Sequence, residues 1–271
     1  MTEKFVQADG LKTRYLEAGS GPAVLLLHGA SLGSSADVFE RNLAPLAGYG
    51  LRVIAFDQPG FGLTDNPKDY SVAYRRRFIV QFMDALRLDK ASLMGHSQAG
   101  AMAVGLAFDQ TPRIAKVAVL GTGSLLPPLP GGVKAGAGEG EEGGAAEPTI
   151  DESHALLEHN LFNHSLITPE VLEKRHRMSL GKNFQAFIER GKAPRGGGKE
   201  PVPVWERLHQ LPVPLLMMYG KQDRGSAAQR VALLKERYPS LNLHLLEGAK
   251  HLAQWDAQAE FERLTGKFLA S

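Results

Sequence analysis

The chain has 271 residues, 43% of them hydrophobic and 22% charged, an ordinary composition for a globular protein. This length accommodates one large α/β domain with an inserted subdomain. The formal net charge is +2, and lysine and arginine are spread along the chain, which argues against a nucleic-acid-binding function. The absence of cysteine excludes disulfides, thiolate metal sites and a cysteine nucleophile.

Residues 1–15 are polar and lack the apolar core of a signal peptide. No apolar run approaches the roughly 18 residues that a membrane span requires. We therefore expect a cytoplasmic protein that acts on a small-molecule substrate, with no nucleic-acid or membrane partner; assembly into a homo-oligomer is left open. The densest basic run, Arg75-Arg76-Arg77, precedes an apolar-periodic stretch and is interpreted as the solvated start of a helix.

Short apolar runs alternate with amphipathic stretches along most of the chain, which is typical of a mostly parallel sheet flanked by helices. Residues 4–19 predict a β-hairpin with its turn at Asp9-Gly10. Apolar runs predict further strands at 23–29, 52–62, 91–97, 114–124, 213–223 and 241–251. Apolar residues at helical spacing predict helices at 71–88, 98–112 and 256–270.

The alternation of strand and helix breaks after Ser124. Residues 127–149 are rich in Gly, Pro, Ala and Glu and lack the large apolar side chains of a core. This composition predicts a flexible loop. Within it, we expect residues 131–146 to be mobile and to gate access to a site beneath the following helices.

Helical spacing returns after the Gly-rich segment. Helices are predicted at 151–163 and 168–190, the second with Thr168 as its N-cap and a proline directly after it. Residues 191–203 form a second loose segment. The predicted organisation is therefore a core interrupted by a helical cap, with the core at 1–123 and 210–271 and the cap at 124–209.

The stretch "LMGHSQAG" at residues 93–100 carries the first chemical signal. Ser97 has a predicted strand before it and a predicted helix after it, the setting in which Gly-x-Ser-x-Gly forms a nucleophile elbow. Gly95 fits that motif, and Ala99 stands where the second glycine is expected. Because a serine hydroxyl is a weak nucleophile at neutral pH, it needs a base, an acid that orients the base, and oxyanion donors.

Each of these partners has a candidate in the expected chain order. Asp223 follows the strand "LLMMYG", and His251 follows the last predicted strand, so the order is Ser97, Asp223, His251. In such a triad, Asp223 holds the tautomer of His251, which takes the proton from Ser97. The backbone N–H groups of Gln98 and of Ala30, in the loop after "LLLHG", are the candidate oxyanion donors.

Other titratable residues receive structural interpretations. His28 is expected to brace the oxyanion loop, and Asp57 to stabilise the glycine-containing turn that follows it. His96 is expected to point into the sheet, with no role assigned. Three further histidines recur every five residues, a spacing that does not fit one helical face, so no metal site is predicted at His154, His159 and His164. No cofactor or metal ion is implied, because the triad chemistry needs none.

The chain resembles the α/β-hydrolase superfamily over nearly its full length, and within it the meta-cleavage product hydrolases. The stretches "LLLHGASLGSSADVFERNLAPLAGYGLRVIAFDQPGFGLTD", "LFNHSLITPEVLEKRHRMS" and "HLAQW" carry this resemblance. It implies an α/β-hydrolase fold, a mostly parallel twisted sheet flanked by helices, with an inserted helical cap. It also implies serine-dependent cleavage of a carbon–carbon bond in ring-opened aromatic catabolites.

The resemblance also suggests residues that bind substrate. The family's cap arginine, which binds the carboxylate and enol end of the substrate, matches Arg175, with Arg177 as an alternative. Ser31, Leu252 and Trp255 are the other substrate-binding candidates. The chain departs from the family pattern where His96 replaces an asparagine and Leu252 a tryptophan.

Three functions remain open on the sequence. The first is hydrolysis of a C–C bond in a 2-hydroxy-6-oxo-dienoate-type ring-fission product. The second is a carboxylesterase or lactonase that acts on a small ester through an acyl-enzyme, and the third is a non-catalytic binding protein with the hydrolase fold. Arg175 separates the first two, since an arginine that faces the pocket favours an anionic substrate and purely apolar walls favour a neutral ester.

Overall fold

The computed structural model describes residues 1–109, 112–131, 146–193 and 202–271. Its centre is one sheet of eight strands in the order β1-β2-β4-β3-β5-β6-β7-β8. The strands are β1 Thr2–Ala8, β2 Leu11–Ala18, β3 Ala23–Leu27, β4 Arg52–Phe56, β5 Ala91–His96, β6 Ile114–Leu120, β7 Leu215–Gly220 and β8 Asn242–Leu246. The predicted mostly parallel sheet is confirmed.

Antiparallel pairing is confined to one edge of the sheet. Strands β1 and β2 form the predicted hairpin, and β2 runs antiparallel to β4. In its turn, Asp9 and Gly10 both have positive φ, 48° and 75°, as a two-residue type I′ turn requires. From β4 to β8 every neighbouring pair is parallel, so the carboxyl ends of these strands share one edge.

The described residues form helices on both faces of the sheet and between β6 and β7. They are α1 Glu40–Ala47, α2 Val72–Ala85, α3 Gln98–Asp109, α4 Ile150–Asn160, α5 Pro169–Arg177, α6 Lys182–Lys192, α7 Val204–Arg207, α8 Ala227–Arg237, α9 Ala253–Asp256 and α10 Gln258–Ala270. Short 3-10 turns complete the connections. Within the described ranges, no helix is both long and apolar enough to cross a membrane.

The continuous apolar runs of the parallel strands are explained by burial on both faces. In β3, Leu25 and Leu27 belong to the apolar cluster on one face, and Val24 and Leu26 to the cluster on the other. All four side chains are buried. A strand covered on both sides has no polar alternation, which is why "AVLLL" reads as a single apolar run.

The helix predicted at 168–190 is wrong as a single element. Thr168 is the N-cap, as predicted, and its side chain accepts the N–H of Val171. The helix ends at Arg177, however, and a second one begins at Lys182. Gly181 between them has φ of 58°, a left-handed conformation that interrupts helical geometry. The sequence pattern does not reveal this break, because apolar residues at helical spacing occur on both sides of it.

The prediction of a solvated basic triplet is wrong for its first member. Arg77 is exposed, but Arg75 is only 3% exposed. Arg75 lies on the same face of α2 as the buried side chains of Phe78, Ile79 and Phe82, one turn before the first of them. This i, i+3, i+4, i+7 spacing was legible in the sequence and places Arg75 on the buried face.

Helices α4 to α7 connect β6 to β7, in the part of the chain where the cap is predicted. The predicted mobility and gating role of residues 131–146 cannot be compared with the fold, since residues 132–145 lie outside the described part.

Candidate active site

Ser97 occupies a sharp turn between β5 and α3. Its φ of 57° is left-handed, an uncommon and strained conformation for a non-glycine residue. Two hydrogen bonds hold the turn: Ser97 N–H donates to the Leu120 carbonyl at 2.8 Å, and Thr122 Oγ1 donates to the Ser97 carbonyl at 2.8 Å. The turn has the strand–turn–helix geometry of a nucleophile elbow.

The flanking residues of this turn explain its imperfect motif. A Cβ on Gly95 would lie 2.5 Å from the Ala99 carbonyl oxygen, so a side chain at this position clashes with the helix start. Ala99, by contrast, is 2% exposed within the core cluster and fits with its methyl group. The elbow therefore requires glycine at the first flanking position and accepts alanine at the second.

Asp223 and His251 lie in contact at the carboxyl edge of the sheet. His251 Nδ1 lies 3.0 Å from Asp223 Oδ2, and both side chains are nearly buried. Arg224 N–H donates to the other carboxylate oxygen at 2.8 Å. Asp223 thus accepts a proton held on Nδ1, which leaves Nε2 of His251 free to act as a base.

His96 connects the serine turn to His251. Its Nε2 donates to the His251 backbone carbonyl at 2.9 Å, and the two imidazole rings lie 4.8 Å apart between centroids. Burial lowers the pKa of His96 well below its ordinary value, so the ring is neutral and this nitrogen carries its proton. Through this bond, His96, the residue before Ser97, contacts the loop that carries His251.

The loop after β3 lies against Ser97, where the first oxyanion donor is predicted. A Cβ on Gly29 would be 3.1 Å from the Ser97 Cβ. Ala30 follows Gly29 directly and Gln98 follows Ser97, so both candidate N–H groups belong to the segments that meet here.

His28 holds this loop in place through hydrogen bonds. Its Nδ1 donates to the Gly29 carbonyl at 2.7 Å, and its Nε2 accepts the Gln58 N–H at 3.0 Å. The Gln58 side chain returns a bond to the His28 carbonyl at 2.6 Å. Burial lowers the pKa of His28 to about 3, so it stays neutral and is engaged at both nitrogens. It has no nitrogen left for acid–base chemistry.

Asp57 organises the neighbouring loops rather than reacting. It is fully buried and accepts the N–H groups of Ala36 at 2.6 Å and Leu63 at 2.8 Å, with Arg14 at 3.3 Å. Burial raises its pKa to about 6, although Arg14 and the two N–H groups act in the opposite direction.

Arg175 joins helix α5 to the oxyanion loop. Its Nη2 donates to Ser31 Oγ at 2.8 Å and its Nη1 to Ser34 Oγ at 3.3 Å. It lines a cavity of about 440 Å³, together with Leu252 and Trp255. The structure therefore brings all four substrate-binding candidates to one region, while the alternative Arg177 is exposed and outside the cavity.

The walls of this cavity are mixed in character. Val38, Leu157 and Val171 supply apolar surface, and Lys174 pairs with Glu40 at 2.6 Å. Trp255 is fixed by its Nε1, which donates to the Val38 carbonyl at 2.6 Å, and Arg41 lies over its ring. Ser97 and His251 are not among the lining residues. Leu252, which lines the cavity, directly follows His251 in the chain.

Two further observations concern residues outside this cavity. The Arg75 guanidinium donates to the side chain of Gln98, a contact with the site that the sequence interpretation missed.

The three histidines considered as metal ligands do not come together. His154 and His164 each face Glu158, at 3.5 and 3.7 Å. Among the described residues, no cluster of three potential metal ligands forms.

A sequence profile of the alpha/beta hydrolase family matches residues 24–264. The chain belongs to this family. A 2-hydroxy-6-oxo-6-phenylhexa-2,4-dienoate hydrolase of Burkholderia cepacia is 32% identical over 94% of this chain and 90% of its own length. A meta-cleavage product hydrolase from Pseudomonas fluorescens superposes with a TM-score of 0.79 at 28% identity, covering 98% of this chain and 96% of that one.

These relatives confirm the α/β-hydrolase fold and the resemblance to meta-cleavage product hydrolases. A further solved structure, described as an N-acyl homoserine lactone degrading enzyme, superposes with a TM-score of 0.72 at 26% identity, covering 98% of this chain and 100% of that one. The protein is a hydrolase, and the hypothesis of a non-catalytic binding protein is not retained.

Proposed function

We propose that this hydrolase cleaves a C–C bond in a 2-hydroxy-6-oxo-dienoate-type ring-fission product, with Ser97, Asp223 and His251 as its catalytic triad. The observation that carries the proposal is the Arg175 guanidinium on the cavity wall, because it supplies a cation for the dienoate carboxylate. The names of the relatives support the same substrate class. Residues 124–209 form the cap that covers this site.

The reaction begins with the dienol form of the substrate. His251 and Ser97 assist its conversion to the keto form by moving the enol proton to carbon. The substrate ketone is then attacked by the Ser97 oxygen, or by water that His251 deprotonates. The N–H groups of Ala30 and Gln98 stabilise the resulting oxyanion, each such donor being worth about 3–4 kcal/mol.

Collapse of that intermediate breaks the C–C bond. The bonding electron pair leaves with the dienoate fragment, which is protonated by the imidazolium of His251. The acyl fragment ends as a carboxylic acid, directly if water attacked, or after hydrolysis of an ester at Ser97. One water is consumed in total, and two acids are released. Asp223 stabilises the imidazolium throughout.

The deciding experiment compares R175M with R177M, a matched substitution on the same helix at an exposed position. With a dienoate substrate, R175M is expected to raise KM about 10- to 100-fold, the effect of losing a charge-assisted hydrogen bond. R177M should keep wild-type kinetics. Equal kinetics in the two variants would contradict binding of the dienoate carboxylate by Arg175.

The role of Ser97 is tested separately with a serine-directed phosphonate. The wild type should form one covalent adduct, and S97A none, as detected by intact-protein mass spectrometry. An adduct of equal yield on S97A would remove Ser97 as the nucleophile. This test does not depend on which substrate is turned over.

The second candidate function is hydrolysis of an ester or lactone through an acyl-enzyme on Ser97. It is favoured by the apolar part of the cavity wall and by the similarity to the N-acyl homoserine lactone degrading enzyme. Side-by-side assays of a dienoate and of short p-nitrophenyl esters separate the two functions. Rapid ester turnover without dienoate loss would reject C–C hydrolysis.

A further inference from the structure

A carboxylate at the end of α9 joins the proposed cap to the loop that carries His251. Asp256 Oδ2 accepts the N–H of Phe162 at 2.9 Å, and its Oδ1 accepts the N–H of Asn163 at 2.9 Å. Both donors follow α4, between β6 and β7. The same Oδ2 accepts the N–H of Lys250, the residue before His251, at 3.0 Å. One side chain therefore holds three backbone N–H groups from two distant segments of the chain.

The last residue of α4 contacts the other side of His251 directly. The Asn160 carbonyl accepts the N–H of Leu252, the residue after His251, at 2.9 Å. Asn160 is buried, and its Oδ1 accepts Nη1 of Arg224, which follows Asp223, at 3.2 Å. The end of α4 therefore contacts both loops of the candidate acid–base pair.

Asp256 is itself fixed to the loop that it holds. Its N–H donates to the Leu252 carbonyl at 3.2 Å. On the core side of the same loop, His96 Nε2 donates to the His251 carbonyl. The backbone around His251 is thus bonded to the core through His96 and to α4 and the residues after it through Asp256 and Leu252.

The position of a base matters for its function, because a displacement of about 1 Å can lower a rate about 100-fold. We propose that Asp256 is a positioning residue for His251, whose loop it fixes to the cap through hydrogen bonds to a charged acceptor. The cap then contributes to proton transfer as well as to substrate binding. The inference rests on the proposed function, in which His251 is the base.

The test compares D256N with the control D69N. The Asp69 carboxylate also accepts a backbone N–H, that of Ser71 at 2.8 Å, but in an exposed loop before α2. D256N keeps the size of the side chain, removes its charge and replaces one acceptor oxygen with an NH2 donor. The rate constant for labelling of Ser97 by a small phosphonate should fall about 10- to 100-fold, because this reaction needs the base. D69N should keep the wild-type rate constant.

The labelling reaction separates positioning of the base from an effect of the cap on substrate binding, because it involves no dienoate. If D256N raises the KM for a dienoate but keeps the wild-type labelling rate constant, Asp256 acts on binding alone and the proposal is overturned. D256E, which restores the carboxylate, should be labelled faster than D256N; equal rate constants in these two variants also overturn it. Thermal unfolding of each variant establishes that the fold is intact.

A measurement on the wild type decides the matter even where D256N does not fold. Amide hydrogen exchange reports the opening of each backbone hydrogen bond. Because they share one acceptor side chain, the N–H groups of Phe162, Asn163 and Lys250 should have protection factors within about tenfold of one another. An unprotected Lys250 N–H would overturn the proposal.

The same experiments distinguish failure of this inference from failure of the proposed function. A wild type that the phosphonate does not label would reject the triad and, with it, a positioning role for Asp256. Absence of dienoate cleavage in a wild type that is labelled would reject only the proposed substrate. Slower labelling of D256N would then still support the positioning role.

Discussion

His96 ties the position of the candidate base to the serine turn. It precedes Ser97, and its Nε2 bond to the His251 carbonyl crosses 155 residues of sequence. In the family pattern that the sequence resembles, asparagine often stands at this position, and His96 is a departure from that pattern. Its longer side chain reaches the carbonyl of the loop that carries His251.

Replacing His96 with leucine should therefore disturb the base more than the substrate. H96L leaves the His251 carbonyl without its donor, and we expect kcat to fall about 10- to 100-fold, since small misplacements of catalytic groups are costly. The free energy of unfolding should fall by about 1–3 kcal/mol. Steady-state kinetics and urea denaturation measure both. H244L, at a half-exposed histidine on β8, is the matched control, and equal effects in the two variants would refute the coupling.

At this scale, the sequence predicted the serine turn and the contacting pair Asp223 and His251, because motif spacing and chain order carry that information. Their catalytic roles stay predictions. The sequence could not predict the function of His96, which depends on a contact between distant segments. The burial of Arg75 could have been predicted, because it falls on the apolar face of α2. Its two basic neighbours led instead to the prediction of a solvated helix start.

Among the elements, the contact between helix α5 and the loop after β3 leaves no room for added volume at Gly33. Gly33 has φ of 76°, and a Cβ there would lie 2.7 Å from the Arg175 carbonyl oxygen and 2.9 Å from its Nε. Any side chain at this position must push the loop and the helix apart. Because Arg175 also donates a hydrogen bond to Ser31, the displacement would reach two of the candidate substrate-binding residues.

We expect G33A to raise KM for a dienoate and to lower the free energy of unfolding by about 2–3 kcal/mol, a typical range for a forced packing change with backbone strain. G10A is the matched control: Gly10 has φ of 75° but nothing within 4 Å of its added Cβ. It should lose about 1 kcal/mol from strain alone and keep its KM. A KM for G33A equal to that of G10A would show that this contact does not position Arg175.

The element boundaries show where periodicity is sufficient and where it is not. It identified α2, α3 and α10 and all eight strands, since each presents a regular apolar pattern. It joined α5 and α6 into one helix, because the turn at Gly181 leaves the pattern unbroken. The order of the strands, with β3 between β4 and β5, is set by crossover connections that local spacing does not encode.

For the whole molecule, buried histidines set the response of stability to acid. His28 and His96 have folded-state pKa values below the ordinary 6.5, about 3 for His28, so below pH 6.5 the unfolded chain binds protons that the folded chain excludes. The half-exposed His244 acts with the same sign. Asp57 opposes them, because its pKa of about 6 lets the folded chain bind a proton before the unfolded chain does.

The two buried histidines, with a smaller contribution from His244, outweigh Asp57, so the free energy of unfolding decreases as pH falls. From pH 7 to pH 5 we expect the free energy of unfolding to decrease by about 2–3 kcal/mol, at about 1.4 kcal/mol per net proton per pH unit. Urea denaturation at successive pH values measures this slope. D57N, which removes the opposing group, should steepen it. Stability that is constant or rises on acidification to pH 5 would contradict the neutral, buried state of the two histidines.

The left-handed backbone at Ser97 has a consequence for how this protein can change over generations. Glycine adopts φ of 57° without strain, so the free energy of unfolding of S97G, measured by urea denaturation, should exceed that of S97A by about 0.5–1 kcal/mol. Both variants lack the hydroxyl, so the difference between their free energies of unfolding measures the backbone strain at residue 97. In a lineage no longer selected for catalytic activity, replacing this serine with glycine would increase the stability of the fold. With the proposed nucleophilic role of Ser97, selection for stability and selection for activity act in opposite directions at residue 97.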